Sequence, residues 1–201
     1  MNHVMLDIET LGDQSNSIIT SIGAIQFDIE TGKLGERFHN YISIQSSHDR
    51  GLKMNPSTIL WWLEQSDAAR AELIDGNKTA LDIVAALFNF GKWIANISPE
   101  HNPSKLYVWG RGPRFDMGIL ADAYWMTNMG IPWDTRKELC VRTMEFLNPV
   151  TKKLTTPVDK AHGSDGMGTH NALLDCEYQI KYVCTIFGQC NFLEHVKKTL
   201  S

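Results

Sequence analysis

The chain has 201 residues, 43% of them apolar and 21% charged, with a formal net charge of −4. That length holds one domain with a sizeable core, or at most two small ones, and no apolar run approaches the ~18–20 residues of a membrane span. The acidic balance excludes a protein that coats duplex nucleic acid through its phosphates. It leaves open a site that holds a few nucleotides through divalent cations, since each ion offsets two negative charges.

The N-terminal segment MNHVMLDIET has no basic region leading into an apolar stretch and a cleavage site, so no secretory signal is expected. The four cysteines, Cys140, Cys176, Cys184 and Cys190, form no CxxC pair. They read as reduced thiols of a cytoplasmic protein rather than as zinc ligands. No repeat or linker divides the chain, which reads as one unit over 1–201.

Residues 3–9 alternate, with Met5, Asp7 and Glu9 on one face and Val4, Leu6 and Ile8 on the other, the period of a strand. A second strand is predicted over Ile18–Phe27 and a third over Arg37–Ile44, with a turn at Thr31-Gly32-Lys33, forming a meander. Ser46–Asn55 reads as an irregular rim. Pro56 opens a short helix through ILWWLEQ. Thr79–Ile97 carries Leu81, Val84, Ala85, Leu87, Phe88 and Trp93 at helical spacing, and Leu106–Trp109 is a short buried strand. Helices are predicted over Asp116–Met126, most of Thr135–Phe146, Asn171–Phe187 and Phe192–Leu200. Asn148–Thr169, with two prolines and three glycines, reads as a long functional or mobile loop. The order is that of an α/β protein in which a meander leads into crossovers.

Within this frame Asp7, Glu9, Asp116 and Asp175 sit in or beside apolar segments, with His170 close by. Burying an ionised carboxylate is costly without a cation or a dense set of donors. Several such carboxylates in a small chain point to convergence on metal ions, the arrangement that cuts a phosphodiester with two divalent metals. Each piece alone has a plainer reading. Asp7 and Glu9, two apart on a strand, leave the same face and would also fit an exposed acidic edge. Asp116, after Phe115, would fit a helix N-cap. His170 and Asp175, five apart, would lie about 140° apart on a helix. They reach one centre only if His170 precedes the helix and swings in.

Together the pieces resemble the DEDDh branch of the DnaQ-like 3′→5′ exonucleases. Asp7-Ile8-Glu9-Thr10-Leu11-Gly12 matches DxETxG, Phe115-Asp116 matches the second motif, and His170 to Asp175 matches HxxxxD before a helix. The turn Trp109-Gly110-Arg111-Gly112-Pro113-Arg114 lacks the asparagine many members carry. With Trp61-Trp62 in the first helix it looks more like a small phage and bacterial branch.

The resemblance implies a ribonuclease H-like fold, a central mixed five-stranded sheet with an antiparallel meander and parallel strands, flanked by helices. It implies two Mg²⁺ or Mn²⁺ ions, hard cations suited to carboxylate oxygen. Asp7 would bridge both, Glu9 and Asp175 would hold the ion that activates water, and Asp116 the other; His170 would be the general base. The substrate would be the 3′ end of a single-stranded nucleic acid and the product a nucleoside 5′-monophosphate. Thr10, Leu11 and Gly12 would hold the terminal nucleotide, Leu11 as an apolar wedge, while Phe115 and Trp62 would stack on bases. Of the two tryptophans, neighbours on a helix, one is expected buried and the other free. Arg111 and Arg114 fit phosphate contacts or a solvated face equally. No membrane partner is implied, and a homodimer is compatible with the aromatic inventory. Two other readings share the carboxylates: a catalytically silent nucleic-acid-binding scaffold and an endonuclease of the same fold.

Overall fold

The computed structural model describes residues 1–112, 114–147 and 170–199. The stretch 148–169, expected to be a long loop, lies outside the described residues, as does Pro113. Strands β1 (His3–Thr10), β2 (Ile19–Phe27) and β3 (Leu34–Tyr41) form the expected antiparallel meander. Helices α1 (Ile44–Asp49), α2 (Pro56–Glu64), α3 (Asp67–Lys78) and α4 (Ile83–Ile97) follow. Then come β4 (Tyr107–Gly110), α5 (Asp116–Met126), β5 (Glu138–Cys140), α6 (Val141–Leu147) and α7 (Ala172–Thr199). The sheet order is β3-β2-β1-β4-β5, with β4 parallel to both β1 and β5. This is the mixed five-stranded sheet expected for a ribonuclease H-like fold.

Two apolar layers close on the sheet. Val4, Leu6 and Ile8 face a cluster with Leu87 and Phe90 of α4 and Leu120 and Tyr124 of α5. On α4 the buried residues are Ile83, Ala86, Leu87, Phe90 and Ile94, a stripe at helical spacing. Met5, on the opposite face of β1, packs with Cys176, Ile180 and Val183 of α7. Each large apolar side chain buried in these layers contributes about 1.5–3 kcal/mol.

The elements depart from expectation in several places. The third strand begins and ends three residues earlier, because Ser43 caps α1 by accepting from Ser46 N–H. Part of the expected rim is therefore helix α1. The segment predicted mostly helical over Thr135–Phe146 starts with a 3₁₀ turn, Thr135–Lys137, and then contains β5, before α6. Helix α4 starts at Ile83 rather than Thr79, with Asp82 as its cap. Helix α3 had no counterpart among the predicted elements; Ser66 caps it by accepting from Ala69 N–H. The two predicted C-terminal helices are one, α7.

One contact decides where α7 sits. Gly23 of β2 is the register partner of Asp7 on β1. A Cβ on Gly23 would stand 2.5 Å from the carbonyl carbon of Ala172 and 2.6 Å from the amide nitrogen of Leu173. The missing side chain lets the first turn of α7 lie directly on the sheet beside Asp7. Cys176, buried, follows through with its thiol 3.4 Å from the Gly23 carbonyl oxygen and 3.5 Å from that of Met5.

Candidate active site

Strand β1 ends beside the start of α7, and the crevice outside strand carboxyl ends is where open α/β sheets bind ligands. Here the cleft measures about 320 Å³ and is lined by Asp7, Glu9, Thr10, Gly12, Phe115, Trp61, Trp62, His170 and Asp175, among others. Alternation along β1 sends Asp7 and Glu9 from one face, toward α7. Carboxylate oxygens of Asp7, Glu9 and Asp175 lie within 4.8 Å of one another.

Asp116 stands outside that tight group but is electrostatically joined to it, since its charge raises the pKa of both Asp7 and Glu9. It does not cap its helix through its side chain. Instead its Oδ2 accepts the Arg111 N–H at 2.8 Å. Gly110 permits this approach: a Cβ there would lie 3.0 Å from Asp116 Oδ2.

His170 precedes α7. Its backbone is left-handed, φ 45°, outside the helix geometry that would have sent it and Asp175 to different faces. Asn171 caps α7 by accepting from the Leu173 and Leu174 N–H groups at 3.1 Å. Asn171 also donates to Glu72 Oε1 at 2.6 Å, and the Tyr41 hydroxyl donates to the same oxygen. Helix α3, absent from the predicted elements, thereby ties the start of α7 to β3.

The substrate-binding candidates divide. Thr10 is buried, its hydroxyl donating to the Gly12 carbonyl at 2.6 Å. Leu11 is placed otherwise than expected for a wedge. It is buried in the core, its N–H donates to Ile18 O, and its carbonyl accepts from Asn55 N–H. Trp62 is 4% exposed, with its indole N–H donating to Thr10 O at 2.8 Å, whereas Trp61 is 42% exposed. Both tryptophans line the cleft, and Trp61 is the one with a face toward solvent. Phe115 is exposed at the cleft edge. Arg111 pairs with Glu145 at 3.4 Å in a solvated position.

Sequence reasoning passed over Gln179 and Gln65. Gln179, buried, donates from Nε2 to Asp7 Oδ1 at 2.8 Å. Its place four residues after Asp175, on the same helical face, was a signal available in the sequence. Gln65 at the end of α2 carried no comparable signal; its Oε1 lies 3.2 Å from His170 Nε2.

The electrostatics are those of crowded acids. Burial, followed by the charges of Asp116, Glu9 and Asp175, pushes the Asp7 carboxyl well above the usual range. Burial and then Asp175 push Glu9 up to about 8, and burial pushes Asp116 up to about 6 against the pull of backbone donors. An all-oxygen donor set under mutual repulsion fits a hard divalent cation. With folded-state pKa values raised, the metal-free native state holds protons that the unfolded chain has already released. Stability is then full below the unfolded carboxyl range and falls as pH rises through the folded values. The melting temperature without metal should therefore drop between about pH 5 and about pH 8, and Mg²⁺ or Mn²⁺ should raise it more at the higher pH. A metal effect independent of pH, measured by thermal unfolding, would contradict this.

Solved structures of the same fold include Escherichia coli exonuclease I in complex with a dT13 oligonucleotide, at 13% identity and TM-score 0.65, covering 96% of this chain and 43% of that one. The zinc-bound form of the E. coli exonuclease I–single-stranded DNA complex matches at 13% identity and TM-score 0.64, covering 98% and 43%. Exonuclease I from Methylocaldum szegediense matches at 14% identity and TM-score 0.62, covering 90% and 40%. The chain thus spans about two fifths of the length of these structures. No curated protein sequence matches it. Fold, motifs and family together place the chain in the DEDDh 3′→5′ exonuclease superfamily, of ribonuclease H-like fold. The model of the 3′–5′ exoribonuclease Rv2179c-like domain matches residues 2–187, and the chain belongs to that family.

Gly23→Ala must push the first turn of α7 off the sheet, moving His170 and Asp175 relative to Asp7. A misplacement of ~1 Å costs about 10²-fold in rate. Turnover should fall by about that factor while the variant still unfolds cooperatively; unchanged turnover would show that α7 is seated by other contacts.

Proposed function

We propose that this chain hydrolyses phosphodiesters one nucleotide at a time from the 3′ end of single-stranded RNA, releasing nucleoside 5′-monophosphates. The observation that carries this reading is the gathering of Asp7, Glu9 and Asp175 within 4.8 Å in one cleft that His170 also lines. The choice of RNA is supported by the family to which the chain belongs.

Asp7, Glu9 and Asp175, with Asp116, would hold two Mg²⁺ or Mn²⁺ ions, which when bound acidify the attacking water and stabilise charge on the leaving oxygen. The chain's own groups do the rest. His170 takes the proton from water as its oxygen bonds to phosphorus and the bond to the 3′ oxygen breaks. Gln179 fixes one oxygen of Asp7. Trp61 and Phe115, exposed at the cleft, offer ring faces to bases, and such stacking contributes about 1–3 kcal/mol per base without regard to sequence. The expected setting is cytoplasmic; Cys140, Cys176 and Cys184 are free thiols.

A denaturing-gel time course on 5′-labelled single-stranded RNA and DNA of one sequence, with Mg²⁺, Mn²⁺ or EDTA, tests the reading. A metal-dependent ladder receding from the 3′ end, faster on RNA, is the expected result. Oligomeric products would move the assignment to an endonuclease. No cleavage with any metal would favour a silent binder of the same fold.

A further inference from the structure

Helix α2 holds His170 on one side. The imidazole Nε2 lies 3.2 Å from Gln65 Oε1, and the ring stands edge-on to Trp61 at 4.8 Å and to Trp62 at 5.6 Å between centroids. Which amide atom faces the ring follows from the other end of the amide. Gln65 Nε2 donates to the Trp61 carbonyl at 2.8 Å. Turning the amide over would set its oxygen against that carbonyl, acceptor against acceptor. An acceptor therefore faces His170, and a neutral imidazole satisfies it only with the proton on Nε2, which leaves the lone pair on Nδ1.

The amide is held firmly enough to make that selection. Gln65 is 8% exposed. Its backbone N–H donates to Trp62 O at 3.2 Å, and its carbonyl accepts from the Arg70 guanidinium, which also donates to Leu63 O at 2.9 Å. Ser66, the next residue, caps α3. Gln65 is thus locked where α2 ends and α3 begins, and a buried amide oxygen without its partner is costly.

We propose that Gln65 is a positioning residue for His170: it selects the Nε2–H tautomer and so presents Nδ1 as the nitrogen that takes the proton from the attacking water. The inference rests on the reading of His170 as the general base. Gln65 acts through the imidazole and is not itself a catalytic group. The orientation of the base is set by the helix that also carries both tryptophans, so base and stacking surface share one support.

Two variants test it. Gln65→Leu removes both amide hydrogen bonds at similar volume, and Gln65→Glu keeps an acceptor toward the ring while setting its second oxygen against the Trp61 carbonyl, so that variant is read by tautomer and not by rate. Steady-state kinetics on a short single-stranded RNA with Mg²⁺ would be read beside ¹⁵N NMR of histidine-labelled, metal-free protein. The spectra are taken at about pH 8.5, where an ordinary imidazole is neutral, and the His170 signals are identified by their loss in His170→Ala. Gln65→Leu should lower kcat by about 10–100-fold with KM within about twofold, the scale seen when a ring-orienting partner is removed. Its His170 signals should leave the pure Nε2–H pattern, and Gln65→Glu should recover that pattern. An unchanged tautomer in Gln65→Leu overturns the proposal, as does an unchanged kcat in that variant. Full activity in His170→Ala overturns the general-base reading and the catalytic consequence drawn from it. The spectra separate that failure from a failure of the Gln65–His170 pairing.

Discussion

Asp7→Asn is expected to abolish nucleotide release while raising the melting temperature of the metal-free protein at neutral pH. Asp7 faces three other carboxylates, Glu9, Asp116 and Asp175, each of which raises its pKa. Asparagine keeps an oxygen to accept from Gln179 Nε2, so that hydrogen bond survives. What disappears is a carboxyl that the metal-free native state keeps protonated where the unfolded chain is ionised. Folding then no longer bears the cost of that proton uptake, which should stabilise the variant by a few °C, each ~1 kcal/mol corresponding to about 2–4 °C in a chain of this size. With metal bound, the Asp7 carboxylate would be one of the ligands in the proposed site. Metal-ion stabilisation of several kcal/mol corresponds to about three or more decades of rate. Thermal unfolding with and without Mg²⁺, beside the gel assay, checks both halves. Retention of more than about a hundredth of the rate would remove Asp7 from the centre of the site. A lower melting temperature in the metal-free variant would mean that the carboxylates are not in conflict.

His170→Ala is expected to lower kcat by about 10²–10⁴-fold, the contribution of a positioned general base, with little change in KM. The ring lines the cleft with Asp7, Glu9 and Asp175. It sits before the cap of α7 rather than within the helix, so its loss leaves the Asn171 cap in place. Stability should therefore change little beyond the lost contacts to Gln65, Trp61 and Trp62. A rate that does not fall makes the imidazole a structural group. A rise in KM at constant kcat would assign it to substrate binding instead.

The sequence alone determined whatever depends on local period. Alternation over residues 3–9 placed Asp7 and Glu9 on one face, because strand side chains alternate whatever lies beyond them. The stripe along α4 and the start of α7 just after His170 were legible for the same reason. The three motifs carried the ribonuclease H-like fold and the exonuclease class. Elements without a strong local period were not legible. β5 is three residues long and exists through its pairing with β4, so its sequence reads as part of the helix that follows. α3 is mostly polar and exposed, and its hold on Asn171 is a contact between residues about a hundred positions apart.

Tertiary structure alone decided how the acids meet. Which tryptophan is buried depends on the rotation of α2, fixed by the Trp62–Thr10 hydrogen bond. Leu11 went to the core rather than the cleft because its backbone is bonded to Ile18 and Asn55 on both sides. His170 reaches the site through a left-handed backbone at a single residue, and α7 reaches β1 through the missing side chain of Gly23. Neither leaves a periodic trace. Residue types name the chemistry a chain can perform, but their convergence is a matter of close approach between segments far apart in the sequence. Close approach is governed by packing, which no local pattern records.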